Sequence, residues 1–323
     1  MAYSAEVLRR AQARLAQEKA DCEAESTARI ESLYRQYPRL KQIDQAMRQS
    51  VIKAVSAAFK KGGDTTAAIE TIKEENLALQ REREWILEAN ELDEAALEPS
   101  VICPHCGGSG YVGAAMCECL QELCRQEQKK ELSSLLAGKE TFDSFRLDLY
   151  PTETDPVTGI RPRDLMQNTF QLCRRYAREF SKLSPSLLFT GAPGLGKTFL
   201  SACIARTVAD SGFSVVYDTA GKMFADFEAA KFGGERSELT DKYLQCDLLI
   251  IDDLGTEMTT QFTLSVLYQV VNTRLMEHKP VIISTNLPAA AISQRYAGPI
   301  ASRILGTYQL CPFLGLDIRT LRR

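Results

Sequence analysis

The stretch Gly191-Ala-Pro-Gly-Leu-Gly-Lys-Thr198 restricts the fold of this chain more than any other segment. It is a complete G-x-x-x-x-G-K-[ST] phosphate loop, a motif that has meaning only between a buried strand and a helix. Both neighbours are in the sequence. Ser186-Leu-Leu-Phe-Thr190 reads as a short buried strand, and residues 199–209 carry apolar side chains at helical spacing. Glycines let backbone N–H groups curl around phosphate oxygens, and the helix N-terminus adds its positive dipole. Gly191, Ala192, Pro193, Gly194, Leu195, Gly196 and Phe199 are therefore expected to line a nucleotide site. Lys197 is expected to reach the β- and γ-phosphates, and Thr198 to offer its hydroxyl to Mg²⁺.

Two further apolar runs end in polar residues. Asp247-Leu-Leu-Ile-Ile-Asp252-Asp253 is a buried strand closing on two carboxylates, and Val281-Ile-Ile-Ser-Thr-Asn286 is a buried strand with a polar tip. Ligands of open α/β sheets bind beyond the carboxyl ends of strands, where these residues fall. Asp252 is expected to hold Mg²⁺, Asp253 to orient and help deprotonate the attacking water, and Asn286 to place that water or sense the γ-phosphate. From Asp164 onward helices and strands alternate, which predicts an α/β P-loop domain with a parallel sheet flanked by helices over residues 164–323.

The rest of the chain differs in kind. Residues 1–98 are rich in Ala, Glu, Gln, Arg and Leu, and Leu40, Ile43, Met47, Val51, Val55 and Phe59 form one stripe of an amphipathic helix. Pro38 and Lys61-Gly-Gly-Asp64 punctuate the region, and a further helix is expected through Ile69, Ile72 and Leu79 to Trp85. The apolar repeat is too short for a long coiled coil, so an all-α N-terminal domain that contacts protein is expected. Residues 99–135 hold Cys103-Pro-His-Cys106 and Cys117-Glu-Cys119 around a turn-rich Gly107–Gly113 hairpin, followed by a helix. Two thiolate pairs so joined suit one tetrahedral structural Zn²⁺, with Cys124 in reserve and His105 pointing away. Residues 136–163, rich in proline and turn formers, read as a linker.

Bulk properties narrow the setting. A net charge of -3 provides no global attraction to nucleic acid, so such binding requires a local patch. No apolar run approaches the roughly 20 residues of a membrane span. Met1–Arg10 becomes charged too quickly for a secretory signal, so a reducing cytoplasm is expected for the ten cysteines.

The order of phosphate loop, Leu248-Leu-Ile-Ile-Asp-Asp-Leu-Gly-Thr-Glu257, Ile283-Ser-Thr-Asn-Leu287 and Ser302-Arg-Ile304 resembles the AAA+ ATPases of the DnaC/DnaI type, bacterial loaders of the replicative helicase. The cysteine cluster and helical N-terminal domain are similar to the DnaI-like branch. The motifs cover residues 100–323, and residues 1–98 agree only in placement and helical character. The resemblance implies ATP, Mg²⁺ and Zn²⁺ as cofactors, with a DnaB-type helicase hexamer, single-stranded DNA and further copies of the chain as partners. It implies Lys197 and Thr198 as Walker A ligands, Asp252 and Asp253 as Walker B acids and Asn286 as sensor 1. It makes Arg303 the arginine finger, with Arg274, Arg295, Arg319, Arg322 and Arg323 as competitors. Arg319 is also placed as sensor 2, and Thr141–Phe145 as adenine-pocket lining. Asp253 departs from the Glu of many AAA+ motors and suits a switch more than a continuous motor. Lys222, Lys231, Arg236 and Lys242, with Phe224, Phe227, Phe232 and Tyr243, fall where related proteins face single-stranded DNA; the alternative is buried aromatics and solvated lysines. Rival functions are an IstB-type transposition helper ATPase and an adaptor that binds nucleotide without turnover.

Overall fold

The computed structural model describes residues 3–59, 65–135, 140–232, 238–296 and 298–321. The expected break at Lys61–Asp64, the segment Gly233–Glu235, Arg236, Arg322 and Arg323 lie outside these residues, as do the side chains of Val51, Val55, Phe59, Ile69 and Phe232. Contacts divide the chain into two compact units, Arg14–Cys117 and a larger one made of Met1–Ala13 with Glu118–Arg323.

Helices α1 (Ala5–Gln36), α2 (Pro38–Phe59) and α3 (Thr65–Ala89) come first in the chain. Pro38 opens α2 at a first-turn position that needs no N–H. The described part of the expected stripe is borne out: Leu40 and Ile43 pack with Ile86, Leu87 and Leu97, and Met47 and Leu79 flank that core. Polar links complete the α2–α3 pairing, with Ser50 Oγ donating to Asn76 Oδ1 at 2.7 Å and Arg83 Nε to Asp44 Oδ1 at 3.1 Å. The hairpin also forms, as β1 (Tyr111–Val112) antiparallel to β2 (Ala115–Met116).

The larger unit holds α4 (Glu118–Leu135), α5 (Pro162–Arg178), β3 (Leu187–Thr190), α6 (Lys197–Asp210) and β4 (Val215–Thr219). After them come α7 (Ala220–Phe232), α8 (Glu238–Gln245), β5 (Leu248–Leu254), α9 (Gln261–Met276), β6 (Val281–Thr285), α10 (Ala289–Arg295), α11 (Gly298–Thr307), β7 (Gln309–Pro312) and α12 (Ile318–Leu321). Five strands form one parallel sheet in the order β4-β5-β6-β3-β7. The central strands are apolar on both faces, as a sheet covered on both sides requires. Alternate residues divide between two cores: Leu187 and Phe189 pack with Leu200, Ile204 and Val208 of α6, whereas Leu188 packs with Phe224, Leu267 and Val270.

Two boundaries fall elsewhere than the sequence suggests. α4, grouped above with the cysteine module, is bound into the larger unit. Gln128 of α4 donates to Phe213 O at 3.0 Å and accepts from Val215 N at 3.0 Å, capping the start of β4. The expected linker is likewise part of that core. Phe142, Phe145 and Leu147 pack against it, and Tyr150 is 1% exposed with its hydroxyl donating to Leu195 O at 2.8 Å. Composition marked the turns, but aromatics spaced between prolines can still anchor a segment.

Candidate functional site

β3 runs buried into the phosphate loop, and α6 starts at Lys197. Gly196 takes φ +90°, a left-handed conformation that turns the chain into the helix. A Cβ there would lie 2.9 Å from the Tyr150 hydroxyl. The first N–H groups of α6 thus face the loop, an anion site built from backbone. Lys197 is 5% exposed, and its ammonium donates to Gly191 O at 2.6 Å, Ala192 O at 2.8 Å and Asn286 Oδ1 at 2.8 Å. Burial lowers its pKa, opposed by the nearby Asp253 and Asp252 carboxylates. The parallel register Thr190↔Thr285 explains why Asn286 reaches Lys197: β3 and β6 end side by side.

The tandem acids take different places. The β5–β6 register shifts between Ile251 and Leu254, and Asp253 adopts φ +54°. Asp253 lines the cavity, and burial raises its pKa with help from Asp252, against the pull of Lys197 and Arg319. Asp252 is 3% exposed and sits beneath; Tyr217 Oη donates to its Oδ2 at 2.7 Å, and the Ser284 hydroxyl donates to Oδ1. Asp253 N donates to both Asp252 Oδ1 and Ser284 Oγ at 3.1 Å. Tyr217 and Ser284 belong to the strands on either side of β5 and were not singled out from sequence. The available signal was a hydroxyl on each neighbouring strand, which becomes informative only once strand order is known.

A cavity of about 420 Å³ lies over the loop. Its lining includes Gly194, Lys197, Thr198, Asp253, Asn286 and Arg319, together with Phe145, Leu149, Phe199, Ala202, Ile318 and Glu140. Pro193, Leu195 and Gly196 also line it, while Gly191 and Ala192 accept from Lys197 behind it. Phe145 is fixed by rings on three sides, with centroids 5.2 Å from Phe170, 5.6 Å from Phe199 and 5.9 Å from Tyr150. From Thr141–Phe145, Ser144 and Phe145 reach this cavity, whereas Thr141 and Phe142 line a neighbouring one. Arg319 arrives on the C-terminal turn, which is tied to the loop by Ile318 N donating to Gly194 O at 3.1 Å. Backbone donors, an ammonium, a hydroxyl and a carboxylate, with aromatic rings in the same lining, fit a nucleoside triphosphate with its divalent ion. Thr198 and Asp252 are the residues that would hold Mg²⁺, Asp252 directly or through water.

Arg303 does not line this cavity. Its guanidinium donates to Asn272 Oδ1 at 2.8 Å, Pro299 O at 3.0 Å and Tyr268 Oη at 3.1 Å, over the Tyr268 ring at 4.7 Å. Two competitors are occupied elsewhere. Arg274 is 0% exposed and donates to the carbonyls of Tyr243, Cys246 and Pro280, a clamp on the C-terminal end of α8. Arg295 donates to the Glu257 carbonyl.

The thiols of Cys103, Cys106, Cys117 and Cys119 all lie within 4.8 Å of one another, and Cys103 Sγ is 3.8 Å from Cys117 Sγ. Zn–S bonds of about 2.3 Å place tetrahedral sulfurs about 3.8 Å apart, so the cluster has the size and donor type for Zn²⁺. Gly110 N donates to Cys106 Sγ at 3.3 Å, the kind of outer contact that orients a ligand. Among the described residues Cys124 and His105 are not in the group. The Cys124 thiol is buried in α4, and burial, with Glu127, pushes its pKa up to about 11.

The basic and aromatic residues of α7 and α8 are largely consumed by the fold. Phe224, Phe227 and Tyr243 are core. Lys222 pairs with Asp226, and Lys242 pairs with Asp218 and Asp226 at 3.0 Å each. Tyr243 Oη donates to Asp218 Oδ2 at 2.8 Å and Asp226 Oδ2 at 2.7 Å. Lys231 lies 5.5 Å from the Phe262 ring centroid.

Sheet, loop and acids together define a P-loop nucleotide-binding domain of the AAA+ class. Residues 173–305 match the model of the family described as IstB-like ATP binding protein. The chain is 27% identical over 121 residues to "Replicative helicase loader DnaC" of Escherichia coli (strain K12), covering 37% of this chain and 49% of that protein. It is 25% identical over 209 residues to "Phage-like element PBSX protein XkdC" of Bacillus subtilis (strain 168), covering 61% of this chain and 71% of that one. The chain thus spans about half the length of the DnaC protein it matches. A solved structure, "Crystal structure of the DnaC helicase loader", aligns with TM-score 0.47 at 18% identity, over 54% of this chain and 97% of that one.

Proposed function

We propose that this chain is an ATP-dependent loader that places a DnaB-type replicative helicase hexamer on single-stranded DNA at the initiation of replication, acting as a cytoplasmic ATP switch. The observation that carries the reading is the convergence of Lys197, Asp253 and Asn286 on one phosphate loop, in a domain whose relatives include a helicase loader. In this reading Thr198 and Asp252 hold Mg²⁺, which neutralises phosphate charge, and Asp253 orients and deprotonates the attacking water. Asn286 positions that water once Lys197 has turned from it to the phosphates. The position of Arg303 outside its own cavity supports action on a neighbouring copy's nucleotide, so ATP would favour self-association. Residues 1–98 would grip the helicase, and the four cysteines would hold a structural zinc. No described helix is long and apolar enough to cross a membrane.

The reading is tested by copurification: the full chain is expected to retain a hexameric replicative helicase in an ATP-dependent manner. Failure to do so with and without ATP would reject the helicase role and leave the nucleotide site standing. A second reading, a transposition helper of the IstB type, has the family match at residues 173–305 in its favour; copurification with a transposase in place of a helicase would select it. ATP hydrolysis is tested against Asp253→Asn. Equal turnover in the two proteins would leave a nucleotide-binding adaptor.

A further inference from the structure

The cavity lining includes a carboxylate, Glu140, that the fold holds only loosely, in an ion pair with Arg206. Oε2 of Glu140 is buried and accepts no hydrogen bond among the described residues. The cation facing it, Arg206 Nη2, stands 3.7 Å away, beyond hydrogen-bonding reach. The Glu140 side chain keeps 18% of its surface and stands between the phosphate-loop cavity and the neighbouring one that Arg206 lines. The phosphate-loop cavity follows α6 from Lys197 and Thr198 past Phe199 to Ala202, and Arg206 is one turn further. At 1.5 Å per residue, Arg206 is about 13 Å beyond Lys197, on the scale of an extended nucleoside triphosphate. A nucleotide with its phosphates on the loop and its ring beside Phe145 would bring the far edge of its base toward Glu140.

We propose that Glu140 is the base-reading residue of the site: its carboxylate accepts from the 6-amino group of adenine and excludes 6-oxo purines. The inference rests on the ATP reading above and deepens it. A carboxylate can only accept. An adenine amino group satisfies it, whereas hypoxanthine or guanine in the same seat would press a carbonyl oxygen against it. Two acceptors facing each other away from water leave both unpaired, which is how a site rejects a near-isostere.

The test compares ATP with ITP, which differ at position 6 of the ring and in the proton on the adjoining N1, by titration calorimetry on the full chain. A hydrogen bond to a charged group gives an expected ATP preference of about tenfold to a hundredfold. Glu140→Gln presents an amide that can donate to a 6-oxo group. The ATP-to-ITP ratio is then expected to fall at least about tenfold, chiefly through a gain in ITP affinity that damage to the fold cannot produce. Glu140→Ala should also collapse the ratio, by loss of ATP affinity. An unchanged ratio overturns the proposal, whether both affinities hold or both fall together. Absence of any nucleotide binding by the wild-type chain overturns the ATP reading itself, and this inference with it.

Discussion

Gly194 offers the sharpest test of how the phosphate loop is held. Its φ is +77°, and a Cβ added there would fall inside the carboxylate of Asp317. Asp317 begins the turn that carries Arg319, and its Oδ1 accepts from Arg319 N at 2.9 Å. In Gly194→Ala the left-handed conformation costs about 1–2 kcal/mol for a residue with a Cβ. Expulsion of the Asp317 side chain removes a cap worth about 1 kcal/mol. The total is about 2–3 kcal/mol, which for a cooperative unit of this size lowers Tm by roughly 5–10 °C. Calorimetry measures the shift, and Asp317→Ala isolates the cap at about 1 kcal/mol. Because Gly194→Ala already displaces the carboxylate, the double variant should be no less stable than Gly194→Ala alone. A Tm within about 1 °C of wild type would refute the strain argument. Fully additive costs in the double variant would refute the contact between loop and C-terminal turn.

Four further outcomes are expected. Lys197→Ala should stay folded yet bind ATP about tenfold to a hundredfold more weakly, since Lys197 itself lines the cavity and water entering there can replace the ammonium; wild-type affinity by calorimetry would contradict its placement. Arg303→Ala should leave ATP affinity of the dilute chain unchanged while lowering turnover of the assembled form by about a thousandfold; equal turnover at high protein concentration would exclude action between copies. Cys103→Ser should reduce metal content from about one zinc per chain toward none, and retained zinc by elemental analysis would show that the cluster is held otherwise. Burial opposes ionisation of Asp247, but Ser214 N–H and hydroxyl, with Lys182, outweigh it and hold the carboxyl below 3.8. A depressed folded-state pKa contributes stability above the unfolded value, lost as pH falls through the folded one. The wild-type advantage over Asp247→Asn should therefore persist to about pH 4 and vanish below it, as read from denaturant midpoints; an advantage independent of pH would deny the carboxylate that role.

Local features were legible from the chain alone because their physics is local. Glycine spacing before Lys197 determines where backbone amides can converge, and four cysteines within 17 residues can meet without help from the rest of the fold. Apolar runs ending in Asp252–Asp253 and Asn286 announced strands whose tips face one edge of a parallel sheet. Tertiary structure decided what those residues touch. The order β4-β5-β6-β3 placed Tyr217 and Ser284 on Asp252 and Asn286 on Lys197, across 32 to 89 positions of sequence. A register shift in β5 turned Asp253 toward the cavity and left Asp252 beneath it. Burial likewise separated Arg274, closed on carbonyls, from Arg303, which no pattern of single arginines distinguishes, and assigned Phe224, Phe227 and Tyr243 to the core. Side-chain type and spacing determine what a segment can do. Which neighbour it meets depends on strand order and register, and those are settled by burying both faces of the sheet at once.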